Sequence, residues 1–370
     1  MVLRLDVGDL IMSETVFILG AGASKAAGAP LMLDFLDVAE RLMKQGKLND
    51  VKVEYELVFK GIEALHMALP KAKFDVANIE SVAGAFEMAR LFNTLGALSE
   101  QEVAELPEAM KRIIVCVIER SISLRVVGPT QGKSVLPPQP YDKFVEYLVK
   151  VTKDGISNDF GRVTVLTFNY DLSMDYAFHY AGVPITYCLD NATSGNEVKL
   201  LKLHGSFNWG HCPVCNKIIP WRMKEYFNKH TWGHLWSDEV KTANLHLTKH
   251  LKDYEHCGKK GMNPVIVPPT WNKTQYHQTI DSVWQAAVSE LKNAENIYIC
   301  GYSYPETDQF FKTLYALGTT SATRLKRFWV FNPDEMLKDK FKNMLGQAAE
   351  DRFLFHAKTF AEAISELTKV

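Results

Sequence analysis

The sequence predicts an α/β protein, a doubly wound parallel sheet of Rossmann-like topology, and three apolar segments carry that prediction. VFILGAGAS (16–24) reads as a strand that runs into a glycine-rich turn and a helix. VTVLTFNYD (163–171) and LKLHGSFNW (201–209) read as strands that end in polar residues. Because ligands bind at the carboxyl ends of parallel strands, these segments deliver a glycine turn, an amide and an imidazole to one crevice. The pattern predicts a nucleotide site.

The length of 370 residues favours a main domain with insertions over a single core. We expect a Rossmann-like domain at 1–30, 152–209 and 263–370, a helical insertion at 31–151, and a small Cys/His-rich module at 210–262. The net charge of −1 argues against broad electrostatic binding to nucleic acid or to an anionic membrane. We therefore expect neither direct sequence-specific nucleic-acid binding nor membrane association.

No segment has the roughly 20 apolar residues of a membrane-spanning helix, and no secretory signal precedes the first strand. Six cysteines in a chain of 370 residues do not form the pattern of a disulfide framework. A reducing, cytoplasmic location is the expectation.

The first strand, turn and helix start occupy residues 14–30, with Ser24 near the helix N-terminus, where its hydroxyl would cap the helix or meet an anion. The stretch 31–151 then shows helical periodicity, interrupted by a Pro- and Gly-rich loop at 127–140. Its helical segments are FLDVAERLMKQ, IESVAGAFEMARLF, PEAMKRIIVCVIERSISL and YDKFVEYLVKV.

Alternation of strands and helices resumes at residue 163 and continues to the end of the sequence. The expected strands are VTVLTFNYD, PITYCLD, LKLHGS, PVIVPPTW, NIYICGYS, RFWVFNP and RFLFHAK, and the expected helices among them include LSMDYAFHYAG, TIDSVWQAAVSELKNA and DQFFKTLYALG.

The GAGAS turn has two interpretations. Gly20 and Gly22 let a pyrophosphate approach the backbone at a helix N-terminus, or they serve only the tight packing of helix on sheet. The absence of a GxxxxGK[ST] run from the sequence excludes a nucleoside-triphosphate P-loop.

The polar strand ends also have two interpretations each. Asp171 either caps the following helix or belongs to a site, and Asn169 is able to orient a sugar hydroxyl or a water through its donor and its acceptor. His204, alone at a strand end, is a structural residue or an acid/base; its expected place beside Asn169 favours the second. Two later strands close with GYSYPETD (301–308) and FNPD (331–334), which are ordinary turns or further nucleotide contacts.

Cys212 and Cys215 form a CxxC knuckle of the kind that begins a zinc site. Cys257 is the cysteine available downstream, so His256, His250, His211 or another histidine of this segment would supply the fourth ligand. The alternative is a degenerate knuckle that binds no metal.

The ordered motifs resemble the sirtuin-like domain of bacterial antiphage defence proteins, which degrades NAD. The matching phrases are GAGAS, NIE (78–80), TFNYD, LHGSFNW, CPVC, PPTW, GYSYPETD and FNPD. The resemblance implies NAD as substrate, with the pyrophosphate held by Gly20, Ala21, Gly22 and Ser24. It implies that Asn169 and Asp171 lie beside the nicotinamide ribose and that His204 is the catalytic histidine. It places Gly301 and Ser303 near the adenosine half of NAD, and Asn332 near the adenine ribose.

Two departures weaken a sirtuin deacylase function. Deacylases follow the glycine turn with a phrase ending in Asp-Phe-Arg, whereas this sequence reads GAPLMLDFLD and lacks that arginine, and the second zinc pair is incomplete. We expect an NAD hydrolase that releases nicotinamide and ADP-ribose, the toxic effector of an antiphage system.

The alternatives are an NAD-dependent protein deacylase and a non-catalytic sensor of NAD or ADP-ribose. By analogy with the family, we expect control by homo-oligomerisation or by a partner protein such as a ring-forming ATPase or a short Argonaute.

Overall fold

The computed structural model describes residues 14–67, 74–129, 133–154, 157–190, 195–230, 232, 241–268, 280–305, 309–318 and 325–368. Its strands are β1 (Thr15–Leu19), β2 (Leu124–Val127), β3 (Ser134–Leu136), β4 (Lys153–Asp154), β5 (Ser157–Asn158), β6 (Val163–Thr167), β7 (Ile185–Thr186), β8 (Val198–Lys202), β9 (Gly205–His211), β10 (Ile218–Pro220), β11 (Thr242–Ala243), β12 (Pro264–Ile266), β13 (Asn296–Cys300), β14 (Arg327–Phe331) and β15 (Phe353–His356).

The α-helices of the described residues are α1 (Ala21–Lys25), α2 (Phe35–Lys44), α3 (Lys52–His66), α4 (Ile79–Phe92), α5 (Glu100–Ser121), α6 (Tyr141–Val151), α7 (Ser173–Tyr180), α8 (Met223–Lys229), α9 (Leu247–Leu251), α10 (Asp281–Asn293), α11 (Gln309–Gly318), α12 (Leu337–Lys342) and α13 (Phe360–Leu367). Short 3₁₀ turns lie at Asn49–Val51, Phe160–Arg162 and Gln347–Arg352.

In the described part of the chain, the main sheet has seven strands in the order β15-β14-β13-β1-β6-β8-β7, and every neighbouring pair is parallel. Strands β1, β6 and β13 are buried along their whole length, as their unbroken apolar character predicts. The predicted fold class, a doubly wound parallel sheet, is confirmed.

Helices cover both faces of this sheet. On one face Phe17 of β1 packs against Phe144 of α6, with ring centroids 5.0 Å apart, and Phe144 in turn contacts Phe360 of α13. On the other face Glu290 of α10 accepts a hydrogen bond from Thr164 of β6 at 2.9 Å. Because Thr164 pairs in register with Val16, its side chain and that of Phe17 lie on opposite faces.

Within the described residues of 31–151, the predicted helical periodicity is present as five helices, α2 to α6. Helix α5 begins with a capping box, in which the Ser99 side chain accepts the Glu102 N–H and Glu102 returns a bond to the Ser99 N–H. Two strands also occur in this stretch: β2 and β3 pair as an antiparallel hairpin across the predicted loop 127–140, and β11 adds to β2. The proposed domain boundaries stay a prediction.

The PVIVPPTW segment departs from expectation. Its described part forms β12, which pairs antiparallel with β9 in a separate sheet of order β10-β9-β12, rather than joining the main sheet. Residues 269–271 lie outside the described residues. The PITYCLD segment contributes only the two-residue strand β7. Apolar character alone does not distinguish a strand of the main sheet from one of a smaller sheet packed beside it.

Candidate functional site

A cleft that is open to solvent lies at the carboxyl ends of the central strands. Strands β6, β8 and β7 lie on one side of β1, and the later strands β13, β14 and β15 lie on its other side. The strand order therefore reverses between β1 and β13, which makes this position a topological switch point. Ligand sites of open α/β sheets occur at such points. Six predicted site residues line this cleft: Ala21, Ser24, Asn169, Asp171, His204 and Ser303.

The two glycine turns that follow β1 and β13 are packed against each other. The Gly20 N–H donates to Cys300 O at 3.1 Å and the Gly22 N–H donates to Gly301 O at 2.8 Å. A Cβ on Gly20 would lie 2.5 Å from Tyr302 Cα, and one on Gly301, whose φ is +62°, would lie 2.4 Å from Ala23 N. The contact between the two turns therefore explains these glycines. Of the GAGAS turn, Ala21 and Ser24 reach the cleft.

Ser24 is the centre of a buried hydrogen-bonded cluster. Its Oγ lies 2.7 Å from Asp171 Oδ2, 2.7 Å from Tyr141 Oη and 3.0 Å from Asn169 Nδ2. A serine hydroxyl has one hydrogen to donate and two lone pairs to accept with. Since the Asp171 carboxylate accepts that hydrogen, Tyr141 and Asn169 are the donors. Burial raises the pKa of Tyr141 far above its usual range, so its phenol keeps the hydrogen that it donates.

The same accounting fixes the orientation of Asn169. Its Nδ2 donates to the carbonyl of Gly20 at 2.9 Å as well as to Ser24, so its NH₂ group is fully used inside the protein. Its backbone N–H donates to Thr167 Oγ1 at 3.1 Å. The Oδ1 atom of Asn169 has no hydrogen bond among the described residues, and this half-buried side chain lines the cleft. Asn169 therefore offers an acceptor to a ligand hydroxyl or a water.

Asp171 is buried and uses both carboxylate oxygens. Oδ2 accepts from Ser24, and Oδ1 accepts the Ser173 N–H at 2.9 Å, at the start of α7. The geometry is thus compatible with both interpretations of Asp171. Its carboxylate accepts an N–H at the start of α7, and it also bonds the site residue Ser24. The carboxylate holds Ser24, and Ser24 holds Asn169.

His204 lies two residues after the end of β8, where the chain leaves the main sheet and enters β9. Gly205 makes this turn with φ +82°, and a Cβ there would lie 2.2 Å from Val265 O. The His204 ring stands edge-on to Phe168 with centroids 5.1 Å apart, and its carbonyl accepts the Val267 N–H at 2.7 Å. His204 is 7% exposed and lines the cleft, so its imidazole is able to meet a ligand.

Of the two late turns, only the first reaches the cleft. Ser303 and Tyr302 line it, and the Tyr302 ring stacks on Phe168 at 4.4 Å. Asn332 is committed locally: Nδ2 donates to Tyr302 O at 3.1 Å and Oδ1 accepts the Asp334 N–H at 3.0 Å. In the described part of the chain Gly20, Gly22, Gly301 and Asn332 do not line this cleft. The last three residues of GYSYPETD, 306–308, lie outside the described residues.

Sequence reasoning missed three residues of this region: Glu80, Tyr141 and Lys202. Glu80 lines the cleft from the first turn of α4, where Asn78 Oδ1 accepts its N–H at 2.9 Å. The NIE phrase was a usable signal for Glu80. Tyr141 and Lys202 occur in segments whose patterns predict only a helix and an apolar strand, and nothing in the sequence marks their tertiary partners.

The predicted cysteine cluster comes together with one histidine. Ligand atoms of Cys212, Cys215, His256 and Cys257 all lie within 4.8 Å of one another, and Cys215 Sγ is 3.8 Å from His256 Nδ1. His256 is thus the fourth member, whereas His211 bonds Asn216 at 2.9 Å. Tetrahedral zinc with Zn–S bonds of about 2.3 Å requires sulfur atoms about 3.8 Å apart, so the set fits a Cys₃His site.

The pKa of one cysteine of this cluster, Cys212, also suits a metal. The Cys215 backbone N–H, followed by the His256 side chain, lowers the pKa of Cys212 to about 6. A thiol that is deprotonated near neutral pH is the form that binds zinc.

Among the described residues no helix is long and apolar enough to cross a membrane. No protein-family model and no curated protein matches the sequence.

Several solved structures are similar. A Sir2 homologue in complex with NAD shares 14% identity at a TM-score of 0.40, covering 98% of this chain and 91% of that one. An ADP-ribose complex of a mutant Sir2 homologue shares 14% identity at a TM-score of 0.42, covering 98% and 94%. Sir2Tm bound to a propionylated peptide shares 12% identity at a TM-score of 0.41, covering 97% and 94%.

Proposed function

We propose that this protein is a sirtuin-like enzyme that hydrolyses NAD to nicotinamide and ADP-ribose. The observation that carries the proposal is the meeting of Asn169 and His204 in one cleft at the switch point of the sheet, beside Ala21, Ser24 and Ser303. The ordered motifs that resemble the sirtuin-like domain support the same assignment. The position of the cleft, at the carboxyl ends of the central strands, suits a nucleotide.

The chemistry of the substrate defines what the cleft has to do. The bond between nicotinamide and C1′ of the ribose has a cationic leaving group, so its cleavage passes through an oxocarbenium-like state. The enzyme has to fix the ribose and place a water on the face opposite the leaving nicotinamide. We place the pyrophosphate beside the turn that follows β1, at Ala21 and Ser24, with the adenosine half toward Ser303, because these residues line the cleft.

Two side chains then carry the reaction. Asn169 Oδ1 accepts a hydrogen bond from a ribose hydroxyl or from the attacking water, because its NH₂ group is already bound to Gly20 and Ser24. His204 takes a proton from that water or from the ribose, which is the role of a general base. Asp171 acts through Ser24: its carboxylate accepts the Ser24 hydroxyl, and that hydroxyl accepts a hydrogen bond from the Asn169 amide.

The test is nicotinamide release from NAD by the purified protein, without any acylated peptide. Wild type is expected to turn over, and Asn169→Ala and His204→Ala are each expected to lower kcat by about 100-fold or more. If both variants released nicotinamide as fast as wild type, the assignment of Asn169 and His204 to the reaction would be refuted.

The same assay separates the alternatives. Turnover only in the presence of an acyl-lysine peptide would identify a protein deacylase. NAD or ADP-ribose binding without turnover, and no effect of His204→Ala on that binding, would identify a non-catalytic sensor. The GAPLMLDFLD phrase, which lacks the arginine of deacylases, favours the hydrolase.

We further propose that the activity serves bacterial antiphage defence as a toxic effector in the cytoplasm, gated by homo-oligomerisation or by a partner such as a ring-forming ATPase or a short Argonaute. The support is the resemblance of the ordered motifs to that family. We propose a structural zinc for Cys212, Cys215, His256 and Cys257, since none of the four lines the cleft.

A further inference from the structure

Lys202 is a charged side chain buried in the core of the protein. Its side chain is 1% exposed, and its Nζ lies 2.9 Å from Oδ2 of Asp175, which is 0% exposed. Burying two charges costs more than an apolar pair of the same size, so the ion pair by itself does not explain why this position holds a lysine.

The remaining bonds of Lys202 point to the candidate site. Its Nζ also donates to the backbone carbonyl of Asp171 at 2.6 Å and lies 3.4 Å from the carbonyl of Tyr170. An ammonium group has three donors, and these three acceptors account for them. Two of the three acceptors belong to the loop that carries Asn169.

Lys202 also lies next to the second half of the site. It is the last residue of β8, two positions before His204, and the Leu203 N–H continues the ladder to Thr167 O at 2.9 Å. One side chain therefore joins the end of the strand that presents the imidazole to the loop that presents the amide.

The anion of the pair is itself fixed in place. Asp175 Oδ1 accepts the Tyr187 hydroxyl at 2.5 Å, and Tyr187 Oη accepts from Asn208 Nδ2 at 3.0 Å. Burial raises the pKa of Tyr187 well above its usual range, so this hydroxyl remains a donor. The Lys202 ammonium group thus binds a carboxylate that is itself hydrogen-bonded to Tyr187, and it also binds the loop that carries Asn169.

We propose that Lys202 is a positioning residue for NAD hydrolysis, which fixes the Asn169 loop relative to His204 through the carbonyls of Tyr170 and Asp171. This inference rests on the proposed function for its kinetic consequence. A displacement of about 1 Å at a reacting group costs up to about 100-fold in rate.

The experiment compares Lys202→Met with the double variant Lys202→Met/Asp175→Leu. The single variant leaves the Asp175 carboxylate buried without its cation and is expected to lower Tm. The double variant removes both charges and is expected to recover part of the lost Tm, because no charge is left buried without a partner. Recovery is incomplete, since the buried Tyr187 hydroxyl loses its acceptor. The double variant does not recover the bonds to the two carbonyls.

In the double variant that folds, kcat for nicotinamide release is expected to stay about 100-fold below that of wild type, because the bonds to the two carbonyls are still missing. The KM for NAD is expected to change much less. Lys199→Met is the matched control: Lys199 is on the same strand and pairs with Glu290 at 2.9 Å rather than with the loop. This control is expected to keep wild-type kcat. A folded double variant with wild-type kcat would overturn the proposal.

Hydrogen exchange of the nucleotide-free protein tests the positioning without any catalysis. The amides of residues 168–173 are expected to exchange faster in the double variant than in wild type, while those of β1 and β13 keep their protection. Unchanged exchange in this loop would overturn the inference even if NAD is hydrolysed. Faster exchange together with an inactive wild type would refute the proposed function and leave Lys202 as the residue that orders the loop.

Discussion

Ser24 donates its hydroxyl hydrogen to Asp171 Oδ2 over 2.7 Å, although the two residues are 147 positions apart in the sequence. The bond joins the helix that follows β1 to the loop that follows β6. Asn169 donates to the same hydroxyl, so this serine is one of the two groups that orient its amide, the other being the Gly20 carbonyl. The sequence motifs GAGAS and NYD are therefore parts of a single buried cluster.

Ser24→Ala is expected to damage both folding and activity. The change leaves the Asp171 carboxylate, the Tyr141 hydroxyl and Asn169 Nδ2 each without one partner, at a cost of about 1–3 kcal/mol for each group left unsatisfied. The Asn169 amide also loses one of its two anchors, so nicotinamide release should fall by about tenfold or more. Urea unfolding and the NAD assay measure the two effects.

Tyr141→Phe is a milder variant of the same cluster, for comparison with Ser24→Ala. It removes one donor to Ser24 and leaves the bonds of Ser24 to Asp171 and Asn169 in place, so we expect a smaller loss, about 0.5–1.5 kcal/mol. Equal stability losses in Ser24→Ala and Tyr141→Phe would show that Ser24 is not the centre of the cluster.

Glu80→Gln is expected to lower kcat/KM for NAD by about tenfold, equal to about 1.4 kcal/mol of transition-state stabilisation. The Glu80 carboxylate lines the cleft, and a negative charge there favours the cation that develops on the ribose. Glu87→Gln, a change on the same helix but outside this cleft, is the control and should keep wild-type kinetics. Wild-type kcat/KM in Glu80→Gln would exclude an electrostatic role for this carboxylate.

The sequence predicted the framework of the site because local patterns encode it. Val163–Thr167 and Asn296–Cys300 are apolar runs bounded by polar turns, and a doubly wound sheet brings their carboxyl ends together. The structure shows Asn169 and His204 lining one cleft for that reason.

The partners of these residues were not predictable, because they are set by tertiary contacts that leave no pattern in the sequence. Lys202 occurs in an apolar strand, and only the fold shows that it meets the Asp171 carbonyl. Asn332 follows the pattern of a strand-end ligand, yet both ends of its side chain bond the neighbouring loop. His256 was one of three named candidates for the fourth metal position, and the loop geometry selects it.

Purified protein is expected to contain one zinc ion per chain, measurable by elemental analysis. Cys215→Ser should lose the metal and lower Tm, because binding at a structural site contributes directly to folding. A strong chelator should lower the Tm of wild type in the same way.

Cys188→Ala is the control for the zinc prediction, since Cys188 lies outside the cluster and should leave the zinc content unchanged. Absence of zinc from wild type grown with zinc, or its full retention in Cys215→Ser, would support the degenerate knuckle instead.

Glu119 is a buried carboxyl group at the contact between α5 and α9. It accepts the Thr248 N–H at 3.0 Å and also the Thr248 hydroxyl. Burial nevertheless dominates and raises the pKa of Glu119 to about 7. Between about pH 4.5 and 7 the native protein therefore keeps a proton that the unfolded chain has released.

The stability contributed by this proton is fully present below about pH 4.5 and is lost as the pH rises through 7. The loss amounts to about 3 kcal/mol, at about 1.4 kcal/mol per pH unit between the two pKa values. Glu119→Gln is expected to abolish this part of the pH dependence, because the amide keeps an acceptor for Thr248 and does not ionise. Urea unfolding from pH 5 to 8 measures it, with the exposed Glu108→Gln as control. If the free energy of unfolding of wild type and of Glu119→Gln depends on pH in the same way, Glu119 does not titrate in this range. Burial would then not raise the pKa of its carboxyl group.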